Sequence, residues 1–294
     1  MGTQKYIFAL GFFDGVHLGH QALLRTCVTL SEQLNVQPAV ITFSDHPQTL
    51  LTAAPLLINT TEQRQQLLLQ FGIRDVILLP TTKEVMSTNW KEFLAQQLCR
   101  GAAGFVCGDD FRFGFRGEGD SQKLEKFCRE LGLYCSVVPE QTVHNVRISS
   151  THIRNLLESG QMEEAVCFLG HPHIISGKVA PGRQIGRTIG IPTANLTLPG
   201  GVVCPRFGVY ACKARTQDGT FLAVTNVGTR PTVDGQNVTV EPWLLDYQGD
   251  LYGKELTLEF YAFLRPEKKF DSLEALQEEI QKNARQTREF FEKN

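Results

Sequence analysis

The 294-residue chain has no excess of positive charge: 29 Lys and Arg stand against 31 Asp and Glu, a formal net charge of −2. A protein that holds DNA or RNA by releasing condensed counterions needs a basic field, so no nucleic-acid partner is expected. Small phosphate ligands stay within reach, because they need only a few donors. The eight cysteines (27, 99, 107, 128, 135, 167, 204 and 212) never form a C-x-x-C pair. That argues against a zinc or disulfide framework and for reduced core thiols in a cytoplasmic protein. No stretch approaches the roughly 18 apolar residues that span a bilayer. The opening Met1–Leu10 lacks the apolar centre and small-residue cleavage site of a signal peptide, and reads as a first strand. Internal repeats and low-complexity tracts are also missing.

What is present divides in two. Up to about residue 150, short apolar runs (Tyr6–Phe12, Pro38–Phe43, Asp75–Leu79, Gly104–Cys107, Tyr134–Val138) alternate with amphipathic stretches (Leu18–Leu34, Glu62–Phe71, Asn89–Leu98, Ser121–Leu131). That rhythm predicts a Rossmann-like α/β domain, a parallel sheet with helices on both faces and ligand loops at the carboxyl ends of the strands. Two short helical patterns follow, Thr151–Ser159 and Met162–Leu169. Beyond them, short strands punctuated by Gly, Pro and Asp (Gly177–Val179, Gly208–Ala214, Phe221–Asn226, Val238–Asp246, Glu255–Phe263) predict a small antiparallel β-barrel. An amphipathic helix, Ser272–Phe291, closes the chain. The boundary is expected near Gly170, giving domains 1–169 and 170–294.

The sharpest motif is Gly11-Phe12-Phe13-Asp14-Gly15-Val16-His17-Leu18-Gly19-His20, directly after the first strand. A Gly-rich turn that opens a helix aims free N–H groups at an anion, and the helix dipole favours it. His17 and His20, three residues apart, share one side of the helix start, and Gly19 has no Cβ to block a phosphate. Two imidazoles beside a helix amino terminus suit nucleotidyl transfer, which needs donors where charge builds on the α-phosphate. Asp14 serves either as turn former or as metal-shell residue. Ser149-Ser150-Thr151 marks another helix start, and Arg154 lies one turn on, so hydroxyls, N–H groups and a guanidinium converge as for a triphosphate.

The run Gly11–His20 resembles the signature of the H-x-G-H nucleotidyltransferases. With Thr42–Pro47, Gly108–Gly114, Ile148–Arg154 and the whole second half, the chain resembles the bacterial bifunctional riboflavin kinase/FAD synthetases over essentially its full length. The resemblance implies ATP binding by Phe13, Asp14, Gly15, His17, His20, His46, Ser150, Thr151 and Arg154. It also implies flavin binding by Asp110 and Phe113 in the Gly108–Gly114 loop, together with Arg147. The family usually has Pro where this chain has Asp45. FMN carries an already ionised phosphate, so attack on ATP needs positioning and charge stabilisation but no general base.

In the second half, Gly177–Asn195 is dense in Gly and Arg but is neither a P-loop nor a G-x-G-x-x-G fingerprint. Gly182, Arg183, Gly186 and Arg187 are the candidates for approach to kinase-bound ATP. Thr193 and Asn195 of Pro192-Thr193-Ala194-Asn195 are hard oxygen donors on one side of an extended segment, suited to Mg²⁺. This run resembles the magnesium signature of riboflavin kinases. The ribityl alcohol of riboflavin is too weak an acid to ionise at pH 7 and needs a carboxylate to accept its proton. Glu241, which matches the family's strand glutamate, is that candidate, and Pro242 beside it suggests an edge strand. Asn226–Thr232 is either structural support or flavin-loop packing. Arg285 and Arg288 read as solvated helix charges, and the family often has Asp at the position of Asn283. The expected ligands are therefore riboflavin, FMN, FAD, ATP and Mg²⁺, with no membrane partner and a monomer or weak homo-oligomer.

Overall fold

The computed structural model describes residues 4–50, 54–181, 190–232 and 235–293. The chain forms two compact units, Met1–Ser150 and Thr151–Asn294.

The first unit opens with β1 (Tyr6–Leu10), α1 (Leu18–Leu34), β2 (Gln37–Phe43), α2 (Thr61–Gln70) and β3 (Asp75–Leu79). It continues with α3 (Lys83–Met86), α4 (Trp90–Cys99) and β4 (Ala102–Gly108), the two-residue strands β5 (Arg112–Phe113) and β6 (Gly119–Asp120), α5 (Ser121–Leu131) and β7 (Tyr134–Val138). A last hairpin, β8 (Thr142–Val143) and β9 (Val146–Arg147), turns through His144 and Asn145, both left-handed at φ 51° and 64°. The main sheet is parallel throughout, in the order β3-β2-β1-β4-β7. Strands buried on both faces read as unbroken apolar runs, and Ile7, Phe8, Ala9, Val40, Phe105 and Val106 are fully buried. The order runs one way from β1 through β2 and the other way through β4. Loops after β1 and β4 therefore face the crevice where the sheet changes direction, the usual ligand position in such sheets.

Local chemistry sets the helix ends. Thr60 and Gln63 form a reciprocal capping box on α2, and Asp120 caps α5, which Gly132 ends in the left-handed conformation.

The second unit begins with α6 (Ser150–Ser159) and α7 (Met162–Leu169), the first residue of α6 belonging to the first unit. Six strands follow: β10 (His173–Lys178), β11 (Leu196–Thr197), β12 (Gly208–Thr216), β13 (Gly219–Thr232), β14 (Gly235–Leu244) and β15 (Glu255–Pro266). They are antiparallel in the order β10-β15-β12-β13-β14-β11. The Ala180 N–H donates to the Asn195 carbonyl at 2.9 Å, bringing the ends of the sheet back together as a nearly closed barrel. Helix α8 (Leu273–Lys293) ends the chain.

Two expectations change. The strand expected at Gly177–Val179 starts earlier and spans His173–Lys178. Asn226–Thr232, expected as structural support or flavin-loop packing, is part of long β13 and pairs with β14. Strand β14 is paired on both sides, so Pro242 does not mark an edge. Its carbonyl accepts the Ala194 N–H at 2.9 Å. A residue's N and C=O point the same way from a strand, so its missing N–H faces only the two-residue β11.

All eight cysteines are free. Burial raises the pKa of Cys27 to about 11 and that of Cys107 to about 12. Cys99 and Cys167, however, are exposed rather than core residues.

Candidate active sites

The turn after β1 is tightly wound. Phe13, Gly15 and Val16 all have left-handed φ, at 61°, 78° and 41°. For Phe and a β-branched Val this is costly backbone of the kind found at functional turns. Buried Asp14 ties it down: its Oδ1 accepts the Ile58 N–H at 2.8 Å, and its carbonyl accepts the Ser150 hydroxyl at 3.0 Å. Ser150, the last residue of the first unit, is thereby fastened to the β1 turn. Thr151 and Arg154 follow on α6 in the second unit, Arg154 Nη2 donating to Thr151 Oγ1 at 3.5 Å.

His17 caps α1, its Nδ1 accepting the His20 N–H at 3.3 Å. An imidazole that accepts at Nδ1 carries its proton on Nε2 when neutral, which leaves Nε2 as the donor. The two rings stack with centroids 3.6 Å apart and planes 12° apart. Gly19 makes room for this fold-back, since a Cβ there would lie 3.2 Å from His17 Cε1 and Nδ1. Desolvation, then His17, then Arg64 push the His20 pKa well below 6.5. His20 is therefore a neutral ring at physiological pH. On the other side of the turn, the edge of Phe12 meets His46, with centroids 4.9 Å apart at 74°.

A cavity of about 380 Å³ opens beside this turn, walled by Phe12, Phe43, Leu79, Asp110, Phe111 and Phe113 among others. Phe111 and Phe113 stack at 5.6 Å and 15°. Phe113 is 7% exposed, both a core residue and a cavity wall. Gly114, at φ 76°, lets this loop pass the Trp90 backbone, where a Cβ would stand 2.7 Å from Trp90 Cα. Arg147 Nη2 bonds Asp110 Oδ2 at 2.5 Å and Arg147 Nε bonds Glu140 at 2.9 Å. Two of the three residues expected on the flavin side thus touch each other, and Glu140 joins them unexpected.

In the barrel, β11 pairs Leu196 with Val240 and Thr197 with Thr239. This register continues through the Ala194–Pro242 hydrogen bond and sets Asn195 across from Glu241. Glu241 in turn faces Asn226 on β13 and accepts the Thr239 hydroxyl at 3.1 Å. Thr193 and Glu241 line one cavity of about 390 Å³ with Asn226, Trp243, Arg265 and Asn283. Asn195 Oδ1 is buried without a hydrogen-bond partner. A buried orphan carbonyl beside a hydroxyl and a carboxylate suits an oxygen-seeking cation that keeps most of its ligands as water and phosphate. No cluster of three or more His, Cys, Asp or Glu suited to a metal occurs among the described residues.

Asn283, 1% exposed, accepts Arg265 Nε at 3.0 Å and so holds that guanidinium at the cavity wall. Arg288 is engaged by both Asp246 oxygens, at 2.8 and 3.0 Å, and Arg285 is exposed. Gly182, Arg183, Gly186 and Arg187 lie outside the described residues.

A parallel sheet with a histidine-bearing turn at its crevice, joined to a barrel with a carboxylate-lined cavity, defines a two-module transferase of phosphoryl and nucleotidyl groups. Residues 2–152 match the family model for FAD synthetase and residues 169–291 that for riboflavin kinase. The bifunctional riboflavin kinase/FMN adenylyltransferase of Listeria monocytogenes is 34% identical over 98% of this chain and 93% of its own length. The Bacillus subtilis and Escherichia coli K12 proteins of the same name are 32% and 34% identical, over 98% and 97% of this chain and 93% and 92% of theirs. A crystal structure titled as a macrolide-efflux protein from Streptococcus pneumoniae matches with a TM-score of 0.89 and 29% identity, over 98% of this chain and 95% of that one. No helix among the described residues is long and apolar enough to cross a membrane. The chain belongs to the bifunctional riboflavin kinase/FMN adenylyltransferase family: it phosphorylates riboflavin to FMN and adenylylates FMN to FAD, both at the expense of ATP.

Proposed function

We propose that the two reactions are divided between the two sites described above, with the functional boundary at Gly170, so that residues 1–169 make FAD and residues 170–294 make FMN. The start of the kinase match at residue 169 and the left-handed Gly170 that ends α7 support this boundary. In the first domain, the ATP phosphates lie at the turn of Phe13, Asp14, Gly15, His17 and His20, with His46, Ser150, Thr151 and Arg154 as further ligands. Neutral His17 and His20 offer N–H donors to the charge that grows on the α-phosphate oxygens. The flavin ring fills the apolar cavity walled by Phe113, and Asp110 and Arg147 serve its polar end.

In the second domain, Glu241 accepts the proton of the ribityl hydroxyl as that oxygen attacks the γ-phosphorus. Thr193 and Asn195 are the residues that would hold Mg²⁺, which when bound neutralises phosphate charge. The observation that carries this reading is the β11–β14 pairing, which sets Asn195 and Glu241 side by side. The eight free cysteines support work in the cytoplasm. The chain works as a monomer or weak homo-oligomer.

The test is a product assay of the whole chain with riboflavin and Mg-ATP. Wild type yields FMN, FAD, ADP and pyrophosphate, whereas His20→Ala accumulates FMN and ADP with little FAD. FAD formation by His20→Ala at the wild-type rate would remove the histidine turn from the adenylyl site.

A further inference from the structure

Arg64 on α2 is the largest fully buried side chain in the protein's described core, at 0% exposure. Only one of its three nitrogens is satisfied: Nη2 donates to the Phe43 carbonyl at 2.6 Å and the Ser44 carbonyl at 3.2 Å. Nε and Nη1 are buried with no hydrogen-bond partner. The guanidinium carbon sits 4.4 Å from the centroid of Phe12, the same ring whose edge meets His46. Asp14, Asp45 and Glu62 are the carboxylates that act on it electrostatically, and Arg64 itself acts on His20. Buried Asp14 already accepts the Ile58 N–H through Oδ1.

This arrangement is expensive for a purely structural device. A buried cation with two unmet donors loses hydration that the fold does not restore, and an apolar side chain of similar volume often serves stability as well or better. Such costs gather where charge is used. The guanidinium joins the two loops that follow β1 and β2, through Phe12 on one side and Phe43–Ser44 on the other. Those loops carry Phe13–His17 and His46, and His20 follows in the first turn of α1. Neutral His17 and His20 bring donors but no net charge, while the incoming triphosphate brings several negative charges.

We propose that Arg64 is a positioning residue for adenylyl transfer, joining the β1 and β2 loops from below and supplying a fixed buried positive charge to the triphosphate held between them. The proposal rests on the placement of the ATP phosphates at the His17–His20 turn. Arg64 acts through Phe12 and the loop carbonyls, and through its field, which low-dielectric surroundings screen little. It also accounts for the tolerance of Asp45 in the β2 loop, since a carboxylate there faces a permanent cation.

The test compares full-length Arg64→Met, Arg64→Lys and His20→Ala with the parent. FAD formation is measured across ATP and FMN concentrations, riboflavin kinase activity in the same samples, and thermal unfolding alongside. Removal of the charge in Arg64→Met should lower the kcat of FAD formation about 100-fold, with KM for FMN within about threefold and kinase activity unchanged. Arg64→Lys, which keeps the charge, should recover to within about tenfold of the parent. A folded Arg64→Met that makes FAD within about threefold of the parent rate overturns the proposal. So does a folded Arg64→Lys as deficient as Arg64→Met, because shape alone would then explain the loss. If Arg64→Met does not fold, Arg64→Lys decides by the same kcat criterion, and if neither folds Arg64 is a scaffold residue and the proposal fails. A fully active His20→Ala would overturn the site placement itself, whereas an inactive His20→Ala beside an active Arg64→Met overturns only the role of Arg64.

Discussion

Replacing Glu241 by Gln should separate the two activities of the chain. The carboxylate of Glu241 accepts the Thr239 hydroxyl at 3.1 Å and faces Asn226 across the β13–β14 ladder. The Gln amide oxygen can accept the same hydrogen bond in the same volume, so a half-buried change of this kind should cost the fold no more than about 1 kcal/mol. What Gln cannot do is take a proton from an alcohol. Losing a positioned general base costs roughly 10²- to 10⁴-fold in rate, or about 3–5 kcal/mol of transition-state stabilisation. Because the proton moves only during reaction, the loss belongs in kcat, with KM for riboflavin within about twofold. The assay follows FMN from riboflavin and, separately, FAD from supplied FMN. The kinase rate should collapse while FAD formation stays within about twofold of the parent. Retained kinase activity would refute Glu241 as the base, and joint loss of both reactions would refute separate sites.

Two further outcomes follow from the barrel. Asn195→Ala removes the buried carbonyl that has no protein partner, and should raise the Mg²⁺ concentration for half-maximal kinase activity about tenfold or more while leaving FAD formation unchanged; an unaltered Mg²⁺ dependence would exclude Asn195 as a ligand. His173 is fully buried with both ring nitrogens unpartnered, and desolvation followed by His171 lowers its pKa to about 3. Between that value and the ordinary one near 6.5, the unfolded chain binds a proton that the folded chain refuses. Stability therefore falls as the pH drops below about 6.5, by roughly 1.4 kcal/mol per unit, or about 2 kcal/mol at pH 5 relative to pH 7. His173→Leu should remove this component, as read by urea unfolding at the two pH values; an unchanged pH slope would show that His173 contributes none of it.

The readable parts of the fold were those in which local pattern and burial agree. The parallel strands stood out because both faces are covered, so Phe8, Val40 and Phe105 sit in unbroken apolar runs. Strand β10 was displaced in the reading because His171-Pro172-His173 looks like a polar loop, whereas His173 is buried opposite Phe260. Two-residue strands such as β5, β6 and β11 carry no periodicity at all, yet β11 supplies the register that sets Asn195 against Glu241. The histidine turn was legible because its residues are contiguous. Arg64 was not, since the groups that define it (Phe12, Phe43 and Ser44) lie 20 or more residues away along the chain. Glu140 escaped for a different reason: it is close to Arg147 along the chain, but only the β8–β9 hairpin turns Arg147 back to it.

The contrast between the two sites follows from the acidity of their nucleophiles. A phosphate monoester is already an anion at neutral pH, so a site that activates it further gains nothing, and one that repels it loses. On the proposed assignment, the β1 turn meets that requirement with neutral imidazoles, backbone donors and the buried Arg64 cation, while its one acid, Asp14, accepts the Ile58 N–H. An alcohol presents the opposite problem, and the barrel places a carboxylate beside oxygen donors, where proton removal and phosphate neutralisation can occur together. Exchanging the two devices would disable both reactions: a carboxylate over the FMN phosphate would oppose its approach, and neutral imidazoles shorn of a base partner would leave the ribityl hydroxyl protonated. On the proposed assignments two separate pockets suit the chemistry, since a single pocket would have to present a carboxylate to one nucleophile and withhold it from the other.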